Sequence, residues 1–463
     1  MDSEVLIVGA GPTGLTLACD LLRRGVSCRI IDQATGPSEG SRGFTLKPRS
    51  LAVLAGLGAF EAPEGARKGG ESAGTAGETV ADRIRRAGRT EARLRVHFGA
   101  EKLFDLAVPP DPDPARNSVG LPQYRTEQIL RDRLRDLGGE VAYDTGLAEF
   151  TDTTDGVKAT LTDGTVHAAR FLIGADGGRS TVRAELGIGF EGRTDEDLRA
   201  LIADVPIEGL DRADGAHLWM LPNGMVAARP LPHDTHWQLV IGGGDAARDA
   251  AFKGRDITVG EPRWQSVWRY NARLATAYGK GNVFLCGDAA HVHSPFGGHG
   301  MNTGIQDAAN LGWKLELVLR GVASRRLLDT YELERLPVGR AILADSDKQK
   351  SAMLLPRPLR PLLRFVLRRV LRRVQIRGRD DHPRYPDSRL TGRGGGDAVG
   401  YEGRFFTLLT AGDAPEIAGL ETRVVNTAGL KRGTIALVRP DGYLGIVARN
   451  SAELAAYVAG LTA

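Results

Sequence analysis

Three glycine clusters, each with an acid in or just beyond it, hold the residues of this chain best suited to chemistry. The first is Gly9-Ala10-Gly11-Pro12-Thr13-Gly14. In a GxGxxG that opens a helix, the first glycine permits a tight turn and the second lets the backbone approach a pyrophosphate. The third lets helix pack close to strand, and the helix N-terminus offers N–H groups to the phosphates. Asp32 follows Gly14 by 18 residues, where a carboxylate ending a second strand can accept hydrogen bonds from a ribose diol. An acid there suits an unphosphorylated ribose, so FAD or NAD fits better than NADP. The second cluster is Gly287-Asp288-Ala289-Ala290-His291, followed by Pro295, Gly297, Gly298, Gly300, Met301 and Asn302. A carboxylate at a strand end can hold a ribose or ribityl hydroxyl, and a glycine-rich loop entering a helix presents N–H groups to a partly negative edge such as flavin N1–C2=O. The third cluster is Gly174-Ala175-Asp176-Gly177-Gly178-Arg179-Ser180, with Arg183 one helical turn on. It reads as a tight strand-to-helix turn from which Arg179 and Arg183 point outward, available to a phosphate.

These clusters need strands to deliver them. The run Glu-Val-Leu-Ile-Val at 4–8 suits a strand buried on both faces. A helical pattern follows from 12 to about 24, and a second strand-like run from 27 to 31 completes a βαβ opening. Strand signals at 156–161 and 165–174 flank an Asp163-Gly164 turn, and 282–286 is another short apolar strand. Between 190 and 275 several β-type runs occur, with Trp237, Leu239 and Ile241 alternating on one face. Helical patterns cover 303–320, 327–349 and 359–377. The stretch 390–400 reads as a linker, and 401–463 alternates short strands and turns.

Composition bounds the rest. A chain of 463 residues with ordinary apolar and charged fractions holds several domains. Lys+Arg 61 against Asp+Glu 57 leaves +4, too little for the basic field that drives nucleic-acid binding, so the expected partners are small molecules. Three widely spaced cysteines, Cys19, Cys28 and Cys286, form no CxxC and argue against a disulfide framework or thiolate metal site. No stretch is long and apolar enough to span a membrane, and the N-terminus lacks signal-peptide character. The expectation is a cytoplasmic protein, monomer or homodimer.

The motifs GAGPTG with Asp32, GADGGRS and GDAAHVHSPFGGHGMN, in this order and spacing, resemble the fingerprints of FAD-dependent aromatic hydroxylases of the para-hydroxybenzoate hydroxylase class, over residues 1–350 or so. The segments HPRYPDSRL, GRFFTLL and LVRPDGY resemble the thioredoxin-like tail of the subgroup that hydroxylates aromatic polyketides; without CxxC it would be structural. The resemblance implies an α/β fold with a discontinuous Rossmann-like FAD domain (1–75, 117–188, 277–350). It further implies an inserted, mainly antiparallel substrate sheet (76–116, 189–276), a helical connection (351–390) and a thioredoxin-like domain (391–463). FAD would be held by Gly9, Gly11, Pro12, Thr13, Gly14, Asp32, Arg42, Gln123 or Arg125, Asp176, Asp288, Pro295, and backbone N–H groups near Gly300, Met301 and Asn302. NADPH or NADH would bind transiently near Arg179 and Arg183, consistent with the absence of a second GxGxxG before another βαβ unit. O2, activated at flavin C4a, would deliver one oxygen atom to an aromatic small molecule. The tyrosine pair with which para-hydroxybenzoate hydroxylase ionises its phenol has no match here.

Other signals are weaker. His291, His293 and His299 could suggest a metal, but the loop is explained by flavin binding and no nearby acid and Cys complete a ligand set. Nine arginines at 357–379 among helically spaced leucines and valines fit an amphipathic helix docked on its own domain better than a membrane-surface helix. Trp219, Trp237, His236, His293, Pro295 and Phe296 are candidate pocket residues, the histidines for proton transfer. Two other readings stay open: Baeyer–Villiger oxidation of a ketone, and a flavoprotein that does not oxygenate.

Overall fold

The structure, a computed structural model, describes residues 1–40, 43–60, 77–90, 93–98, 101–107, 109–221, 224–293, 300–353 and 384–463. In the last range 386, 387, 393, 394, 398, 400–402, 413, 418, 419, 428, 429, 431 and 432 are not described. Arg42, Pro295, Phe296, His299 and the arginine-rich 357–379 segment lie outside the described residues.

Val5, Leu6 and Ile7 have no solvent-exposed surface, as a strand covered on both faces requires. Their strand, Ser3–Val8, pairs in parallel with Cys28–Ile31 on one side and Val166–Gly174 on the other, and the latter pairs in parallel with Val283–Leu285. Val8 aligns with Ile31 and with Gly174, and Gly174 aligns with Leu285. The carboxyl ends of four strands therefore finish level, and each is followed at once by one sequence cluster or by Asp32. The chain runs outward from Ser3–Val8 first to one side and then to the other, the switch point at which open α/β sheets bind ligands. The hairpin at Asp163-Gly164 forms as expected, with Gly164 at φ +82°.

The second sheet is mainly antiparallel. Its order is His291–Val292, Trp264–Ala275, Phe190–Glu208, His236–Gly242, Gly224–Pro230, Ala216–Leu221, Arg93–Phe98 and Glu101–Ala107, and only the Ala216–Leu221/Arg93–Phe98 pair is parallel. After His236–Gly242 the chain turns through Gly243 (φ +99°) into a helix, Gly244–Phe252, which lies across one face. The glycine run at 242–244 reads in sequence as strand and turn; it is the entry to this helix.

Helix Gly300–Leu319 packs against the first helix, Pro12–Arg23, and the long helix Arg326–Met353 follows. A third sheet has the order Thr422–Asn426, Phe406–Thr410, Ile435–Val438, Leu444–Ala448. Its first pair is parallel and the others antiparallel, with helix Ser451–Thr462 at the end. Its apolar side shares a core with Trp313, Leu317 and Leu327 of the preceding helices. The 390–400 stretch is not a free linker. The N–H groups of Gly392 and Gly396 donate to Gly445 and Leu444, and Leu444 N–H donates to Asp397, lacing the segment along the last strand. No helix among the described residues is long and apolar enough to cross a membrane.

Candidate functional site

The first cluster shows which glycines the protein itself requires. Gly9 sits at φ +105°, and a Cβ there would lie 2.4 Å from the Ala175 carbonyl oxygen; one on Gly14 would lie 2.0 Å from the Gly9 carbonyl oxygen. Both are demanded by packing. Gly11 differs: its backbone is ordinary extended chain (φ −73°, ψ −177°) and a Cβ would meet no atom of the described residues within 4 Å. No contact among the described residues requires a glycine at position 11, which leaves open space beside this stretch of backbone. Gly11 caps helix Pro12–Arg23 without a side chain, and Pro12 takes the first turn, where its missing N–H costs no helical bond. The Thr13 side chain is spent on packing. It fills a notch between Gly287 and Gly304, where added Cβ atoms would fall 2.5 and 2.1 Å from Thr13 Oγ1.

Asp32 Oδ2 accepts from Ala10 N–H at 2.7 Å and Oδ1 from Ala34 N–H at 2.9 Å, which fixes the carboxylate beside the GxGxxG turn. Asp176 Oδ2 accepts from Thr181 and Val182 N–H and so caps a short helix, Thr181–Glu185. Its Oδ1 is buried with no hydrogen-bond partner among the described residues, and burial raises its pKa. Arg179 is exposed. Arg183 corrects the expectation: it turns inward, donating to the Ala289 and Gly178 carbonyls at 2.8 and 2.9 Å with its guanidinium 3.7 Å from the Phe190 ring centre. Its short helix presents that face to the GDAAH turn, so Arg183 ties two clusters together and is not available to a phosphate.

Asp288 stands exposed on the turn Gly287–Ala289, and a Cβ on Gly300 would lie 3.9 Å from its Oδ1 and 3.6 Å from His293. His293 is buried and stacks on His291 with ring centres 5.8 Å apart. Gly300, Met301 and Asn302 form the first turn of their helix, the end that directs N–H groups outward. The Asn302 amide clips the neighbouring strand, accepting from Lys47 N–H and donating to the Thr45 carbonyl, both at 2.8 Å. Gln123 and Arg125 stand in different surroundings. Gln123 Oε1 accepts from Gly43 N–H at 3.0 Å, beside Met301, while Arg125 is exposed and bonded to Gln128.

Two acids behind this site carry no sequence signal of their own. Glu127 receives a bond from Gln123 Nε2 at 2.9 Å, and burial raises its pKa to about 7. Asp307 is fully buried between the Gly287 N–H, His291 and Arg335. Each sits one or more helical turns from a motif, where only the fold shows what it touches.

The pocket candidates on the second sheet divide. Trp219 and Trp237 are fully buried with Leu239 and Ile241 under the helix Gly244–Phe252, and Trp219 meets the Phe252 ring edge-on. They are core, because that helix covers the face on which their alternation puts them. His236 is 2.7 Å from Asp234, which Arg263 also holds, in an ion cluster at the strand's start. The opposite face looks to Gly40, Phe44 and Thr45, which lie outside the first sheet: the Trp264 ring rests on Gly40, and Arg229 lies over Phe44 and donates to Thr45. There a cavity of about 500 Å³ has apolar walls including Phe44, Pro109 and Pro230, with Arg89, Arg93 and Arg229 as its charges.

A family model described as an FAD binding domain matches residues 2–346. A flavin-dependent monooxygenase of Mycobacteroides abscessus is 36% identical over 98% of this chain and 99% of its own length. The 6-methylpretetramide 4-monooxygenase of Streptomyces rimosus is 33% identical over 97% of this chain and 91% of its own. Among solved structures, the rebeccamycin biosynthetic enzyme RebC with reduced flavin superposes with a TM-score of 0.80 at 27% identity, covering 99% of both chains.

Proposed function

Because the chain belongs to the FAD binding domain family and is a flavin-dependent monooxygenase, we propose that it hydroxylates a polycyclic aromatic substrate bearing an acidic ring substituent, using NAD(P)H and O2. The cavity beside Phe44 carries this reading. At about 500 Å³ it falls within the ~300–1,000 Å³ range of sites for drug-sized ligands, roomier than a single phenol needs. Its walls are apolar, and its three arginines would meet a phenolate, enolate or carboxylate. The related 6-methylpretetramide 4-monooxygenase supports a fused aromatic substrate.

The residues present fit FAD. Gly11 and the helix it opens would face the pyrophosphate, Asp32 a ribose, Asp288 a ribityl hydroxyl, and the turn at Gly300–Asn302 the pyrimidine edge. When bound, the flavin supplies the electron transfer and oxygen activation. The protein orients the ring, excludes water and holds charge. NAD(P)H would give two electrons, one atom of O2 would enter the ring and the other would leave as water. We further read the tail sheet as thioredoxin-like; its parallel first pair and antiparallel second half support that.

The test is NAD(P)H oxidation and O2 uptake by the FAD-loaded protein against polycyclic phenols, matched neutral aromatics and cyclic ketones, with product mass spectrometry. Hydroxylated phenols, with anionic rings preferred, are expected. Oxygen inserted beside a ketone carbonyl would establish Baeyer–Villiger chemistry instead, and FAD uptake without oxygen consumption on any class would leave a non-oxygenating flavoprotein.

A further inference from the structure

Buried polar groups run without interruption from the C-terminal unit to the turn that carries Asp288. Asp307, fully buried in helix Gly300–Leu319, is the centre. Its Oδ2 accepts from the Gly287 N–H at 3.1 Å and from His291 Nε2 at 2.6 Å; Gly287 directly precedes Asp288 and His291 follows it by three residues. Its Oδ1 accepts from Arg335 Nε at 2.6 Å. Arg335 donates from Nη1 to the Tyr385 hydroxyl at 2.8 Å and from Nη2 to the Thr303 carbonyl, one residue beyond the turn Gly300–Asn302. Tyr385 belongs with the C-terminal unit: its N–H donates to the Gly396 carbonyl and its ring stacks on Tyr443 with centres 4.2 Å apart.

The preceding residue grips the same unit directly. Glu334 accepts from both Arg439 Nη atoms at 2.6 and 2.9 Å, from Ser388 Oγ at 2.6 Å and from Lys314 Nζ at 2.9 Å. Consecutive positions on one helix thus hold the C-terminal unit with one side chain and the cofactor turn with the other. The charges on this route balance, Asp307 against Arg335 and Glu334 with Asp441 against Arg439 with Lys314. A buried, balanced ion network adds little net stability over apolar packing, and fixing one arrangement is its best-attested use.

We propose that the C-terminal unit is part of the FAD site, with Tyr385, Arg335 and Asp307 as positioning residues that fix the direction of Asp288. The inference rests on the assignment of Asp288 to FAD. Tyr385→Phe removes one hydroxyl and keeps the ring stack. Tyr457→Phe is its control, since it removes a comparable hydroxyl bond in the same unit, to the Leu390 carbonyl at 2.6 Å, off this route. FAD is titrated into the full-length apoprotein of each by fluorescence, and apoprotein unfolding midpoints are recorded in parallel. Tyr385→Phe is expected to raise the FAD Kd about tenfold, the loss of one charge-assisted hydrogen bond, and Tyr457→Phe to leave it unchanged. Asp307→Asn should raise it further, with circular dichroism reporting that the chain is folded. An unchanged Kd in Tyr385→Phe, or equal rises in both tyrosine variants, overturns the relay. Asp288→Ala separates the two levels: if it too leaves Kd unchanged, the site assignment has failed, and if it raises Kd while Tyr385→Phe does not, only the relay has.

Discussion

Replacing Gly11 by alanine should weaken FAD binding while barely touching the apoprotein, an outcome opposite to that at either neighbouring glycine. The added methyl meets no atom of the described residues within 4 Å, so they add no clash term. Two small terms remain. Alanine narrows the unfolded ensemble, worth about 0.4–1 kcal/mol of stabilisation where the native φ and ψ allow it, as φ −73° and ψ −177° do. Against this, alanine is a poorer N-cap than glycine by about 0.5–1 kcal/mol. The net should lie within about 1 kcal/mol of zero by urea denaturation of the apoprotein. With ligand present, the methyl occupies space the pyrophosphate needs, and overpacking costs roughly 1–3 kcal/mol, or about 5- to 150-fold in Kd. Gly14→Ala puts its Cβ 2.0 Å from a backbone oxygen and should unfold first and lose FAD as a consequence. A Gly11→Ala apoprotein destabilised as much as Gly14→Ala, or one whose FAD Kd stays within twofold of the parent, would refute the reasoning that an external group accounts for this glycine.

Three further outcomes follow from individual charged and titratable groups. Glu127 has its folded pKa raised to about 7 by burial, offset in part by Gln123 and Arg131; a raised acid binds its proton more tightly folded than unfolded, so stability falls as pH rises from about 4.5 through 7. Glu127→Gln should therefore stabilise the apoprotein by up to about 3 kcal/mol at pH 8 and by little below pH 4.5, and equal effects at both ends would exclude the cause. His97 and His217 stack in the second sheet, and burial first, then nearby arginines, lowers both to about 4. Their unfolded forms each bind an extra proton, so stability should drop as pH falls from 6.5 towards 4, on the order of 1 kcal/mol per pH unit for each histidine. His217→Asn should flatten that slope in pH-dependent melts. Arg229→Gln should raise the Kd of an anionic polycyclic phenol about tenfold, read from the flavin absorbance change, and shift a neutral analogue little; an equal loss for both would remove the charge argument.

The cofactor side of this fold is legible in the sequence because its signals are local. A buried aliphatic strand, a glycine turn and an acid at a strand end each require particular residue types at fixed spacing, and the parallel register that ends four strands level brings the clusters together. What local pattern does not encode is direction after the turn. Arg183 reads as outward because helical spacing gives a face without saying what stands opposite it, and here the GDAAH turn stands opposite. Glu127 and Asp307 escape notice for a related reason: an acid in a helix is by default solvated, and only tertiary contact makes either one buried.

The second sheet shows where such reading stops most clearly. Alternation correctly groups Trp237, Leu239 and Ile241 on one face, but a strand has two faces and period two assigns neither to the ligand. The helix Gly244–Phe252 decides the matter by covering the tryptophan face. The register then carries the argument across the sheet. Trp264 stands opposite Asp204, Asp204 opposite Gln238, and Gln238 opposite Arg229, so all four side chains line one row on the uncovered face. One end of that row rests on Gly40 and the other lies over Phe44 at the cavity. Within it Asp204 has no exposed surface, its carboxylate oxygens have no hydrogen-bond partner among the described residues, and burial raises its pKa against the opposing charges of Arg263 at 3.6 Å and of His236. A buried carboxyl so thinly compensated is costly to keep, and since Arg229 is the member of this row that lines the cavity, it is the residue through which substrate preference should be varied, ahead of either tryptophan.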